Sequence, residues 1–427
     1  MTSRRPPPAR SPSRARAAPA RRTGATSTGN GTAGKGRKTG SPRRSAARRP
    51  SVRLTGVAAV LVATIVVLNV VGLVMIMSAS SVTALENYGS SWAFFTRQLL
   101  FTAIGVVAFL VASRFDYRRL ARLAGPLLVV TVGLLLLVFV PGLGVHVSGS
   151  SRWISLGPFN LQPSELAKLA VLVFGADVLA RRADLVDDWR LALRPVLLVF
   201  GGLALIVMKQ PDMGTTIVLA IIVATLLFAG GVPVRHLLPI GGAGLAAAVI
   251  LAFSAPYRRA RVLSFLDPFS DPGNTGYQAV QSLIAFGSGG LFGVGLGAGR
   301  AKWLFLPNAH TDFIFSIIGE ELGLVGALFV VALFVAFAVL GLRTAARARD
   351  RFGFLLATAI TVWIVGQAVI NMGAAIGLLP VTGVPMPFVS FGGSALVTVM
   401  AASGVLVNIA KQSVELERRE PVAARAT

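Results

Sequence analysis

Apolar stretches long enough to cross a lipid bilayer recur through almost all of this 427-residue chain, and they decide what it can fold into. They run near 54–78, 92–113, 120–140, 162–180, 193–209, 213–231, 236–255, 311–341, 353–378 and 388–409. Each is about 17 to 31 residues long, bracketing the roughly 20 that span a hydrocarbon core. Hydrophobic residues make up 54% of the chain and charged residues 14%, more apolar surface than one soluble core of this size could bury. The expected fold class is all-α: a polytopic membrane protein of about ten transmembrane helices, with a long extracytoplasmic loop between helices 7 and 8.

The formal net charge of +24 suggests nucleic acid until it is mapped. Fifteen of the cationic residues lie between Arg4 and Arg53, with no acid among them, so no nucleic-acid partner is expected. Residues 1–52 have almost no large apolar side chain and read as a disordered basic cytoplasmic tail, suited to anionic membrane lipids or a cytoplasmic partner. A span-length run follows Arg53 directly, unlike a signal peptide. In the short connections, Arg114, Arg118, Arg119 and Arg122, then Arg181, Arg182, Arg190 and Arg194, then Arg235, then Arg343, Arg347, Arg349 and Arg351 all fall on one side. The positive-inside rule makes that side the cytoplasm. Both termini are then cytoplasmic, flanking a membrane domain at 53–411, with a short tail at 412–427. The loop at 256–310 places Arg258, Arg259, Arg261, Arg300 and Lys302 outside; long loops escape the rule, so this patch wants its own explanation. The lack of cysteine excludes disulfides and thiolate metal sites, and His146, His236 and His310 are too scattered for a histidine-based zinc site.

Ionisable residues at membrane depth cost on the order of 2.5 to 3.5 kcal/mol each, which makes every one a functional candidate. Glu165 and Lys168, three apart at the start of the fourth span behind Pro163, share one helical face. They form either a local ion pair or part of a groove facing the outer leaflet, where Lys168 and Arg152 would meet phosphates and Glu165 would orient the lysine. Asp312 stands at the first turn of the eighth span. There it either interacts with the helix dipole, typically about 0.3 to 1 kcal/mol, or performs chemistry. Glu320, eight residues on, lies within about 80° around the helix, and two acids exceed what capping requires. Residues 267–282, including Gln278 and Gln281, read as turns; the glycine-rich 287–297 reads as a flexible re-entrant or interfacial segment. No strand precedes those glycines, so a nucleotide cradle is set aside. In the last outer loop Gly392 and Gly393 suit tight helix packing, and Ser390 and Ser394 are candidates to line a cavity.

Residues 154–168, the run Lys209, Gln210, Pro211, Asp212, Met213, Gly214 and Thr215, the triplet Gly276, Tyr277 and Gln278, and the runs 310–315, 319–323 and 385–394 together resemble the FtsW/RodA family of shape, elongation, division and sporulation proteins. The resemblance holds in order and spacing along nearly the whole chain after residue 54. The run at 306–312 and the basic N-terminal extension suit the actinobacterial division branch better than the RodA branch. The resemblance implies a ten-span fold and a peptidoglycan glycosyltransferase with lipid II as substrate. It also implies a class B penicillin-binding protein as septal transpeptidase partner, other divisome membrane proteins, and a place at the division septum of a bacterial cytoplasmic membrane. It puts the catalytic aspartate on Asp312, the functional Glu and Lys on Glu165 and Lys168, and the arginine before the tryptophan on Arg152. His310 and Thr311 in the matching run join the candidate substrate contacts. Many relatives have an acid where this chain has Asn308, and some have another at Leu304, so an auxiliary carboxylate role there has no acid to carry it.

The residues fit such chemistry independently. Extending a glycan needs a base for the incoming 4-hydroxyl while an undecaprenyl pyrophosphate departs, and Asp312 can be that base. Arg152, Lys168 and the loop cations Arg258, Arg259 and Arg261 can meet the developing phosphate charge. Inversion by direct displacement is implied by the resemblance. No cofactor is required, although a divalent cation (Mg or Mn) could assist despite the lack of an evident ligand set. The rival readings are a lipid II flippase or other transporter and a non-catalytic divisome scaffold. Against the transporter, the charges gather at the outer interface instead of along a midplane path, and no inverted repeat is evident.

Overall fold

Backbone groups in hydrocarbon must be satisfied within their own segment, and the apolar runs accordingly form helices. In the computed structural model, residues 56–147, 150–157, 159–186 and 188–423 are described; the expected tail at 1–52 lies outside them. The long helices are α1 (Gly56–Tyr88), α2 (Ala93–Arg114), α3 (Leu120–Leu137), α4 (Pro163–Arg181), α5 (Arg194–Lys209), α6 (Met213–Ala229) and α7 (Val234–Phe253). Two shorter helices, α8 (Pro256–Leu266) and α9 (Tyr277–Gly289), precede α10 (Ile314–Ala346), α11 (Arg351–Ala375) and α12 (Gly393–Ala423). Among the described residues eight helices are long and apolar enough to cross a membrane. The all-α polytopic architecture holds. Outside those eight, α4 carries Glu165, Lys168, Asp177 and Arg181, and α6 has only 17 residues.

The bundle is built around α11. Its Trp363 is fully buried, and the helix packs against α10, α6, α4 and α12. The longest side-by-side packing joins α12 to α2, while α7 touches little besides α6 and α8. One end of the bundle holds the arginine-rich connections and is tied by Asp350. This side chain caps α11 by accepting from the Gly353 amide at 2.7 Å, and it also accepts from Tyr117 Oη and Arg118 Nε, each at 2.8 Å. Burial pushes the Asp350 carboxyl up, but the amide, the guanidinium and the phenol outweigh it and hold its pKa below the usual carboxylate range. At the opposite end α4, α6, α10 and α12 begin and α11 finishes.

Four local features depart from the sequence expectations. The connection before α4 is a small antiparallel sheet of β1 (Gly144–Val147), β2 (Ser150–Leu156) and β3 (Phe159–Leu161), in the order β1-β2-β3. Leu156 pairs with Phe159 across the hairpin, and Gly157 at φ +71° supplies the left-handed turn residue. Residues 277–282, expected as turns, are helical in α9, because Val280, Ile284 and Ala285 recur at helical spacing while the Pro, Asp and Gly residues end at Gly276. The tail expected from residue 412 continues the α12 helix to Ala423.

The fourth departure is the largest. α10 is not one continuous rod, since Gly323 breaks it at φ 68°, ψ −169°. The glycine-rich segment lies across the break. Leu324 and Val325 amides donate to the Gly290 and Leu291 carbonyls at 3.0 and 3.1 Å, and the Val294 and Gly295 amides donate to Glu320 and Glu321 carbonyls at 3.0 and 3.1 Å. The glycine-rich segment thereby satisfies backbone groups that the break releases. A side chain at Gly323 would be strained and would collide with Gly293 N and Leu291 O. Gly323→Ala should therefore lower stability by about 1 to 3 kcal/mol, whereas Gly133→Ala on α3, with nothing within 4 Å, should not. Thermal unfolding of the detergent-purified variants checks the contrast.

Candidate functional site

At the end where α4 and α10 begin, the polar residues converge on α11. Gln367 and Asn371 lie four apart and hence on one helical face, and both are buried, at 1% and 2% exposure. Lys168 is also buried. Its Nζ donates to Glu165 Oε1 at 2.8 Å and to Gln367 Oε1 at 3.1 Å, and it lies 5.4 Å from the Trp363 ring centroid. Gln367 Nε2 continues the chain by donating to the Pro385 carbonyl at 2.8 Å. One turn along, Asn371 Nδ2 donates to the carbonyls of Asp312 and Val384, both at 2.8 Å.

Asp312 stands just ahead of α10, not in its first turn. Residues 308–313 form a tight turn in which the Thr311 and Asp312 amides both donate to Asn308 O at 3.1 Å, and the helix begins at Ile314. Its carboxylate is half-buried and points toward the last outer loop: Oδ2 lies 3.7 Å from where a Cβ on Gly383 would stand. Ser390 pins the same region, accepting from the Met386 amide at 2.8 Å and donating to the Thr311 carbonyl at 2.6 Å. Thr311 Oγ1 turns back to Asn308 O at 3.2 Å. Ser394 links α12 to the strand before α4, accepting from the Gln162 amide at 3.1 Å and donating to Asn160 O at 3.2 Å.

Arg152 reaches the same neighbourhood by another route. From β2 its guanidinium donates to the carbonyls of Gln210 at 3.0 Å and Pro211 at 2.5 Å, partners that carry no formal charge. The next residue, Asp212, caps α6 through the Thr215 amide at 3.0 Å and hydroxyl at 2.8 Å. Gly214 follows, with no room for a side chain between it and Thr382 and Val384. Arg152, the α6 start and the loop beside Asp312 are therefore successive layers of one assembly.

Other candidates are placed elsewhere. The Glu320 carboxylate is buried and accepts from the amides of Arg300 at 2.7 Å and Ala301 at 3.2 Å, so it holds the approach to α10. Its neighbour Glu321 accepts from Ser78 Oγ at 2.7 Å, the Gly297 amide at 3.0 Å and Lys302 Nζ at 2.9 Å. Lys302, expected on an outer basic patch, is buried in this ion pair. Arg259 is exposed on α8, and the side chains of Arg258 and Arg261 lie outside the described residues. Gln281 is half-buried on α9. Gln278 lines a groove of about 710 Å³ with Tyr277, Phe265, Leu283, Pro307 and Val381. The groove does not include Arg152, Glu165, Lys168 or Asp312 in its wall, but Pro307 and Val381 adjoin in sequence the turn and loop that hold Asp312. Among the described residues no group of three or more His, Asp or Glu side chains is placed to hold a metal ion.

The sequence reading passed over Gln367 and Asn371, which sit inside an otherwise apolar run. Their signal was two amides four residues apart at membrane depth. Among the described residues, Asn371 Oδ1 and Glu165 Oε2 are buried acceptors with no protein hydrogen-bond partner, a polar interior that costs about 1 to 3 kcal/mol per unmatched group.

Known proteins share this architecture. The family model described as "Cell cycle protein", FTSW_RODA_SPOVE, matches residues 58–415. The chain is 42% identical over 338 residues to "Probable peptidoglycan glycosyltransferase FtsW" of Geobacter metallireducens, covering 79% of this chain and 90% of that protein. It is 44% identical over 346 residues to the protein of the same name from Mycobacterium tuberculosis, covering 81% of this chain and 66% of the relative. A solved chain reported under "Structural coordination of polymerization and crosslinking by a peptidoglycan synthase complex" superposes with a TM-score of 0.68 at 29% identity, covering 83% of this chain and 98% of that one.

Two outcomes check the electrostatics. Removing one partner of a buried ion pair leaves an uncompensated charge, so Lys168→Met should cost about 3 to 5 kcal/mol and the Glu165→Gln/Lys168→Met double variant distinctly less than the sum of the singles. Unfolding of all three variants in detergent measures the cycle. His310 packs between Phe94 and Phe391, at 4.6 and 5.8 Å between ring centroids, and its burial pushes the imidazole down from 6.5 to about 4. In that window the unfolded chain binds a proton the folded one refuses, so stability should fall as pH drops from about 6.5 toward 4. His310→Asn should flatten that part of the pH profile of the melting temperature.

Proposed function

The chain belongs to the cell cycle protein family of FtsW, RodA and SpoVE, and we infer that this peptidoglycan glycosyltransferase polymerises lipid II with Asp312 as its general base. The observation that supports the reading best is the anchoring of Asp312. Its peptide is tied to the same loop that, one residue on, is tied to the Lys168–Glu165 pair. A half-buried carboxylate just ahead of a helix, with its peptide held by Asn371, suits a base that takes a proton from a substrate hydroxyl.

In the reaction, Asp312 takes the proton from the incoming 4-hydroxyl as its oxygen forms the bond to the anomeric carbon. The bond from that carbon to the pyrophosphate oxygen breaks on the opposite face, inverting the centre. Arg152 is the better placed of the two site cations to meet the departing charge, because its partners are carbonyls, whereas Lys168 is already matched by Glu165. The groove lined by Gln278 has the size of a ligand pocket and runs up to the Asp312 turn, which suits part of a lipid-linked substrate.

The rest of the reading concerns setting. Eight of the described helices are long and apolar enough to span; counting α4 and α6 with them gives the ten-span reading, in which the positive-inside rule assigns both termini to the cytoplasm and Asp312 to the outer face. The similarity to a peptidoglycan synthase complex that coordinates polymerisation with crosslinking supports a class B penicillin-binding protein as partner, and the relatives named FtsW favour the division septum as its setting. Purified together with such a transpeptidase, the protein should polymerise fluorescent lipid II, and Asp312→Ala should abolish strand formation while leaving folding and complex formation intact. Strands made at the wild-type rate by that variant would remove Asp312 from the base role.

A further inference from the structure

Gln367 and Asn371 carry more than hydrogen-bond bookkeeping for a buried loop. A lysine ammonium and an indole N–H can only donate, so Lys168 Nζ at 3.1 Å and Trp363 Nε1 at 3.0 Å fix the Gln367 oxygen toward α4, and its nitrogen toward Pro385. Asn371 spends its amide nitrogen on two carbonyls, and one of them belongs to the residue that bears the base. A purely structural amide could grip any peptide of the 308–313 turn. This one grips Asp312, while its neighbour a turn away accepts from Lys168, the cation paired with Glu165 in the buried interior.

We propose that Gln367 and Asn371 are positioning residues for glycosyl transfer: Asn371 sets the Asp312 peptide against residue 384, and Gln367 sets the Lys168–Glu165 pair against residue 385. The inference rests on Asp312 acting as the base. One rigid helix face then keeps the base and the buried ion pair in register with a single loop, so that a substrate settling between them meets groups already in place. Neither amide touches the reacting atoms. Loss of either acts through the residue it holds.

The test has an arm that does not depend on activity. The chain has no cysteine, so Asp312→Cys introduces a single thiol whose labelling by a maleimide, in the full-length detergent-purified protein, reports how firmly that peptide is held. Labelling should be several-fold faster when Asn371→Ala is added; an unchanged rate overturns the Asn371 half of the proposal. Asn371→Ser serves the same comparison should Asn371→Ala fail to fold. With Asp312 intact, Asn371→Ala should lower kcat for lipid II polymerisation roughly 10- to 100-fold and leave KM within about twofold, and a loss confined to KM argues against it. For Gln367, Gln367→Glu keeps an acceptor for Lys168 whereas Gln367→Leu does not. Gln367→Glu should retain clearly more kcat than Gln367→Leu, and equal losses overturn the Lys168 half. If Asp312→Ala polymerises normally, the base assignment falls by itself, while the labelling rates still decide whether Asn371 holds that peptide.

Discussion

A carbonyl buried among transmembrane helices has no water to turn to, and the loop at 384–390 carries several. Val384 is met by Asn371, Pro385 by Gln367 and Ser390 by Gln98, while the Met386 amide is met by the Ser390 hydroxyl. Because irregular backbone survives at such depth only when protein supplies its partners, the placement of the loop follows from those side chains. Asp312, Thr311 and the α4 ion pair are fixed through the same partners. The geometry of the active end is thus a by-product of satisfying one stretch of chain.

The charged residues divide along the same line. Glu320, Glu321 and Lys302 have their hydrogen-bonding capacity taken by backbone amides, a serine and each other, and they build the support under the α10 entrance. Lys168 and Glu165 are matched within the core. Arg152 donates to two neutral carbonyls beside the α6 start. Stabilising a leaving pyrophosphate calls for a cation whose charge is not cancelled by a carboxylate, and in the proposed reaction that part falls to Arg152 among the described residues of this end.

Most of the helical architecture was legible because span length is a strong, local signal: each apolar run became a helix. The ion pair of Glu165 with Lys168 was one of the two arrangements that helical spacing left open. What was not legible depended on long-range partners. The sheet at 144–161 is too short to announce itself by alternation, and α9 was hidden behind the proline-rich turns that precede it. Gln367 and Asn371 look like two isolated amides until Lys168 and the 384–385 peptides, nearly 200 and about 15 residues away in sequence, come alongside. Lys302 read as surface charge because nothing local names Glu321, 19 residues on, as its counterion.

The interruption of α10 has a mechanical corollary. The part before Gly323 is buried along most of its length, whereas the part after it presents the side chains of Leu324, Val325, Leu328 and Phe329 to the surroundings, and the backbone on both sides of the break is bonded to the glycine-rich segment. The break is therefore spliced and not left as a free joint. Tilting of the longer rod as the bilayer thickens or thins has to work against the bonds that bridge Gly323, so the glycine-rich segment and the short rod would respond to it together.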